Sequence, residues 1–369
     1  MCQEMAFGAC DAIVLAGTYD SLFVEVGGNP VAKPFLELGG LPLVVRTVDA
    51  LLRAEGIREV FVVGERAALD EALECRAGQA AGRLHVMQQA QGILDNAYRA
   101  FFHGVLPSRG FPAPPADRFE PGPVGEYLQS HPEAAGVPAL FLTADLPFIS
   151  PQDIEQFLRA VPERAALAVG VVDWSLLARH FEELGVGPEQ LFRWKLGGIP
   201  LRGLKIRITN VFFARPASAD PRLYGLLDRV YGNRWLLDER GKPRAANWKR
   251  ITSAVLSHSR VVNPWWRHAR AVVNVVPTAL AGLIARALDG GCAPLAWPAR
   301  LLLGKKDVEF TASLLLGVEA VMVQTASWGA AVDVDVEQTY RFLAGDGERA
   351  WRQLSAELES PAPAAGEMT

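Results

Sequence analysis

The sequence is poor in the patterns that mark several common function classes. It has four cysteines in 369 residues, Cys2, Cys10, Cys75 and Cys292, with no C-x-x-C pair and no histidine at ligand spacing. That scatter argues against a structural zinc site and suits reduced thiols, and with them a cytoplasmic setting. Neither sign of charge dominates: 37 Lys and Arg stand against 41 Asp and Glu, for a formal net charge of -4. With no polybasic footprint, a nucleic-acid partner is not expected. G-x-G-x-x-G and G-x-x-x-x-G-K-[ST] are both missing, so no motif supports a dinucleotide fold or a P-loop. The N-terminus carries Glu4 and Asp11 and no long apolar run, and a signal peptide is not expected. A bilayer-spanning helix is likewise not expected. The longest uncharged stretch of the apolar region after Arg260, Ala271 to Ala285, is interrupted by Asn274 and Pro277 and falls short of the roughly 20 residues a span needs.

What is present begins with an apolar run, Ala12 to Leu15, ending in Ala16-Gly17. This reads as a buried strand whose last residues let a ligand come close to bare backbone. Thr18 to Val31 is rich in Gly, Asn and Asp and reads as a loop, returning at Lys33. Leu41 to Ala54 has apolar residues on one helical face, and Glu59 to Gly64 reads as a second buried strand. The βαβ unit so formed puts parallel strand ends on one side, where ligands of open α/β sheets sit. Backbone N–H groups and one lysine at such an edge make a triphosphate cradle. The bland alternative is a first βα turn that binds nothing.

Further on, Arg66 to Cys75 reads as a helix and Leu84 to Met87 as a strand, followed by Gln88-Gln89-Ala90-Gln91-Gly92 and a helix from Ile93 to about Gly104. Leu106 to Val137 is rich in Pro, Gly and charge and reads as an insertion with a short helix at Val124 to Leu128. The strand Pro138 to Ala144 runs straight into Asp145; Pro147 stops it, and Ser150 caps a helix starting at Pro151. A carboxylate at the active edge suits Mg²⁺ carried in with substrate phosphates, while a turn or capping role is the plain alternative. Ala165 to Val172 reads as a strand, and the segments around Gly203 as an antiparallel pair. On that hairpin Arg202, Lys205 and Arg207 offer cations for an anionic acceptor; a solvated basic hairpin is the competing reading.

Three stretches resemble the GT-A-like nucleotidyltransferases, the superfamily of molybdenum-cofactor guanylyltransferases and sugar-phosphate nucleotidyltransferases. They are Leu15-Ala16-Gly17 with Lys33-Pro34-Phe35-Leu36 and Gly40-Leu41-Pro42-Leu43, then Ala144-Asp145-Leu146-Pro147, then Asp333-Val334-Asp335. Thr18 stands where a second glycine is usual, and the Gly-x-Arg of the loop is missing. The resemblance implies a Rossmann-like, mostly parallel α/β sheet with helices on both faces, an antiparallel hairpin and a helical C-terminal region. Resemblance and composition together give one domain over residues 1–345, with the insertion near 106–137, a helical region near 261–303 and, from its Pro- and Ala-rich end, a partly disordered tail over 346–369.

Its functional implications are equally definite. Lys33 and Asp145 are the expected catalytic residues, and Leu15, Ala16, Gly17, Lys33, Gln88 and Gln91 the expected nucleotide contacts. Asp145 with Asp333 or Asp335 is expected to bind Mg²⁺, and Asn210 joins Arg202, Lys205 and Arg207 on the acceptor side. The implied reaction joins an NTP to a phosphorylated small molecule and releases pyrophosphate. A non-catalytic nucleotide-binding relative and a nucleotide-sugar-dependent glycosyltransferase remain alternatives. The apolar region Val261 to Leu303 is expected to pack as helices, with peripheral membrane contact through Trp265 and Trp266 as the minority reading.

Overall fold

The computed structural model describes residues 8–18, 23–232, 245–262, 264–265, 273, 304–345 and 348–359. Twelve strands follow in chain order: β1 (Cys10–Ala16), β2 (Phe23–Val26), β3 (Asn29–Ala32), β4 (Glu37–Leu38), β5 (Leu41–Pro42), β6 (Ile57–Gly64), β7 (Leu84–Gln88), β8 (Ala139–Thr143), β9 (Leu167–Asp173), β10 (Ile199–Leu201), β11 (Leu204–Ala214) and β12 (Ala320–Gln324). The main sheet has the order β12-β9-β11-β8-β1-β6-β7, with β10 paired to β11. β11 runs against β8, β9 and β10, while the other pairings in the sheet are parallel. The α/β architecture expected from the sequence is present.

Chain order explains where a ligand fits. From β1 the chain steps outward to β6 and β7, then returns to β8 on the other side of β1. The carboxyl ends of β1 and β8 therefore flank the point where strand order reverses, the crevice that open α/β sheets use for ligands. Both strands are almost fully buried, as their unbroken apolar runs require. The helices Leu43–Arg53 and Pro151–Ala160 pack on one face through Val44, Val48, Leu51, Ile154, Phe157 and Leu158. The other face is covered by Tyr98, Phe101, Phe102 and Val105, joined by Val124 and Tyr127 of the helix Pro121–Ser130. The insertion near 106–137 thus contributes to the core.

The stretch Thr18 to Val31 differs from a plain loop. β2 and β3 form a hairpin around Gly27-Gly28, whose φ values of +60° and +84° suit the tight two-residue turn that matches strand twist. The polar composition hid this, because β2 and β3 are exposed and short. Residues 349–359, expected in the tail, form a helix whose Trp351 and Leu354 are buried in a cluster with Phe148, Trp328 and Leu343. Residues 360–369 and nearly all of the apolar region 261–303 lie outside the described residues. Among the described residues, no helix is long and apolar enough to cross a membrane.

Candidate active site

Two strand ends and one late loop build the site. β1 delivers Leu15 and Gly17, β8 delivers Thr143 and then Asp145, and the 3-10 turn Lys33–Phe35 delivers Lys33. The loop after the 3-10 turn Gly329–Ala331 adds Asp333 and Asp335, and Val334 N donates to Asp145 O at 3.3 Å. That backbone bond ties two motifs 188 residues apart in sequence by pairing the loop directly with the Asp145 turn. Carboxylate oxygens of Asp145, Asp333 and Asp335 all lie within 4.8 Å of one another.

Lys33 sits in the middle of this acidic cluster. Its Nζ lies 2.6 Å from Asp145 Oδ2 and 3.1 Å from Asp335 Oδ1. Burial works against the ammonium, but the two carboxylates outweigh it and hold Lys33 protonated well above its ordinary range. Asp333 has other direct partners. Arg207 Nη2 pairs with its Oδ1 at 2.6 Å and Asn210 Nδ2 donates to its Oδ2 at 2.7 Å. Burial still pushes its carboxyl up to about 6, against Arg207 and with help from the neighbouring Asp335 and Asp145 charges. Asp335 is held below its ordinary value by Lys33 despite burial.

Three carboxylates against Lys33 and Arg207 leave a net negative cluster, with oxygens short of partners. Neither oxygen of Asp145 receives a well-directed hydrogen bond, the close Lys33 ion pair notwithstanding, and the buried Thr143 Oγ1 has no partner either. An all-oxygen, acidic, under-satisfied set of this kind fits a hard divalent cation such as Mg²⁺.

Beside the cluster lies a pocket lined by Leu15, Gly17, Lys33, Pro34, Gln91, Gly92, Ile93, Asn96, Thr143, Ala144, Asp145 and Tyr231. Gly17 is required there by space: a Cβ would stand 2.7 Å from Asn96 Nδ2. Thr18, at the position of the usual second glycine, exchanges two hydrogen bonds with Gln89. Thr18 N donates to Gln89 Oε1 at 2.8 Å, and Gln89 Nε2 donates to Thr18 Oγ1 at 2.9 Å.

The expected residues divide by position. Leu15, Gly17, Lys33, Gln91 and Asp145 line the pocket, and Asp333, Asp335, Arg207 and Asn210 gather behind it. Ala16 is buried between strands. Gln88 points to the surface, where its side chain accepts from Arg66 N. Arg202 reaches Asp307 at 3.4 Å, and Lys205 lies 3.8 Å over the Trp174 ring. Among the lining residues that went unnoticed in the sequence are Asn96 and Tyr231. Asn96 could have been found from its helix, whose first turn points an amide back at the strand end, with Oδ1 accepting from Ala90 N at 2.6 Å.

No curated protein matches the sequence. A solved structure described as a hypothetical transferase from Thermus thermophilus is 20% identical, covers 90% of this chain and 99% of its own, and superposes with a TM-score of 0.50, a likeness of fold. A CMP:2-keto-3-deoxy-manno-octonic acid synthetase complexed with CTP is 14% identical over 67% of this chain and 86% of its own, at a TM-score of 0.33. A 4-diphosphocytidyl-2C-methyl-D-erythritol synthase from Anaerococcus prevotii is 11% identical over 62% of this chain and 77% of its own, at 0.34. Residues 12–177, which hold β1, Lys33 and Asp145, match the family model of the MobA-like NTP transferase domain. Over those residues the chain is similar to NTP transferases.

Proposed function

We propose that the protein is a Mg²⁺-dependent nucleotidyltransferase that joins an NTP to a phosphorylated small molecule, a sugar, polyol or cofactor precursor. The observation that carries the reading is Lys33 held between Asp145 and Asp335 at the mouth of the β1–β8 crevice. In the reaction an oxygen of the acceptor phosphate forms a bond to the α-phosphorus, the bond to the bridging β-oxygen breaks, and pyrophosphate leaves. The nucleophile is already an anion, so the protein's contribution is positioning and charge neutralisation, with no general base.

Each group has a part in that scheme. Gly17 carries no side chain of its own in the pocket lining, so the nucleotide can approach its backbone. Lys33 supplies a compact, permanently charged contact for the phosphates. Asp145 and Asp335 would hold the cation, since Asp333 has both oxygens engaged by Arg207 and Asn210. A bound divalent ion supplies charge neutralisation on the phosphate oxygens. Arg207 and Asn210 position Asp333 and so shape the acceptor side of the cluster.

A panel of the four NTPs with phosphorylated sugars, polyols and cofactor precursors, assayed for pyrophosphate with and without Mg²⁺, tests the proposal. Cation-dependent release with one acceptor class, lost in Asp145→Asn, is the expected result. NTP binding with no pyrophosphate from any pair would overturn it in favour of a non-catalytic relative.

A further inference from the structure

One element of the pocket lining comes from outside the matched domain. The helix Arg222–Gly232 follows β11, and its early turns are firmly anchored. Leu223 and Leu226 pack with Ala254 and Val255 of the helix Ala245–Val262, and Tyr224 stacks on Phe119 with ring centroids 4.3 Å apart. Tyr231 is seven residues beyond Tyr224, two helical turns, so the two rings project from one face. In the last turn that face reaches the pocket, where Tyr231 joins Gln91, Gly92, Ile93 and Asn96 in the lining. Its ring is the aromatic group of the described lining, and it is 36% exposed.

We propose that Tyr231 is the stacking platform for the base of the bound nucleotide, which rests on reading this pocket as an NTP site. The end of the pocket at Lys33 and Asp145 suits the phosphates and their cation. The base is left to the end that offers amides and a ring. Stacking on an aromatic face contributes affinity for any base, because every base has a π-face. The Gln91 and Asn96 amides, each carrying donor and acceptor, are suited to read the base edge. Nucleotide affinity therefore depends on a residue beyond position 177, where the matched domain ends.

The test compares wild type, Tyr231→Phe and Tyr231→Leu, each confirmed as folded by circular dichroism at the assay temperature. Equilibrium dialysis with ATP, GTP, CTP and UTP in Mg²⁺ gives the affinities, and pyrophosphate release gives kcat and KM. Leucine keeps apolar bulk without a π-face, and phenylalanine keeps the face without the hydroxyl. Tyr231→Leu is expected to weaken binding of the preferred NTP on the order of tenfold and raise KM in step, with kcat changed less, while Tyr231→Phe stays within about twofold of wild type. Tyr231→Leu binding as wild type, or Tyr231→Phe binding as weakly as Tyr231→Leu, overturns the platform while leaving the NTP site standing. A wild-type protein that binds none of the four nucleotides overturns the site itself, and the platform with it.

Discussion

Asp145, Asp333 and Asp335 share one small volume with Lys33 and Arg207, and each charge there depends on the others. Lys33→Ala should therefore slow transfer or weaken NTP binding on the order of tenfold or more, since a lost charge-assisted contact costs roughly 1.5–3 kcal/mol. Lys33→Arg should not restore it, because a planar fork does not replace a point charge; steady-state kinetics on both variants checks this. Arg207 has a different task. Arg207→Ala removes the cation from a buried carboxylate and leaves the carbonyls of Ala331 and Lys195 without their donor. It should cost roughly 3–5 kcal/mol in urea unfolding, whereas Arg202→Ala and Lys205→Ala should cost about 1 kcal/mol or less each.

The pH response of Asp333 is inverted relative to an ordinary paired carboxylate. Its folded value of about 6 lies above the unfolded 3.8, so the folded protein binds this proton more tightly. Its contribution to stability is present at low pH and is lost as pH rises from about 4 through about 6. In metal-free buffer, the unfolding midpoint of wild type should fall relative to Asp333→Asn as pH rises across that window. A relative rise there would refute the electrostatic account. With a cation present the competition reverses: Mn²⁺ affinity, followed by titration, should weaken as pH drops below about 6, because protons then compete for the cluster.

At the scale of elements, two supports hold the Asp145 turn. Ser150 and Asp153 form a reciprocal cap on the helix Pro151–Ala160, and Ser150→Ala should cost about 1 kcal/mol. The C-terminal helix Arg349–Glu359 contributes Trp351, which stacks on Phe148 at 4.9 Å and lies under the Arg46 guanidinium at 4.0 Å. Trp351→Ala should cost roughly 3 kcal/mol in unfolding and lower transfer as well, since Phe148 is three residues from Asp145. Parallel urea and activity measurements would show whether the two losses travel together.

Element scale is also where sequence reading reached its limit. The strand ends at Gly17 and Asp145 were legible because unbroken apolar runs leave no choice of period, and the Ser150 cap because its residue types are specific. The faces of β11 were not. Simple alternation puts Arg207 and Asn210 on opposite sides, yet both reach Asp333. A register shift against β9 between Ile208 and Phe212 re-aims the chain. It is accommodated by Gly170, where a Cβ would collide with the Thr209 hydroxyl. An isolated glycine inside an apolar strand was the available signal. The same uncertainty in where a strand stops separates Gln88, which faces solvent, from Gln89, which holds Thr18.

For the molecule as a whole, the legible parts were the three motifs, and what could not be read was how the segments between them bring those motifs together. That depends on β11 inserting between β8 and β9 and on β12 pairing with β9, long-range pairings with no local signature. A chain ending at Gln324 should lose cation-dependent stabilisation, because Asp333 and Asp335 are gone; thermal unfolding with and without Mg²⁺ measures the difference.

The Lys33–Asp335 pair spans 302 residues. On the ribosome, the segment that carries Lys33 emerges well before the carboxylate that pairs with it. The Lys33–Asp335 pair therefore cannot form until the later segment has emerged. Refolding from urea should show the same order. The far-UV dichroism that reports the strands around β1 should recover ahead of Mg²⁺-dependent nucleotide binding, with the interval set by closure of that 302-residue loop.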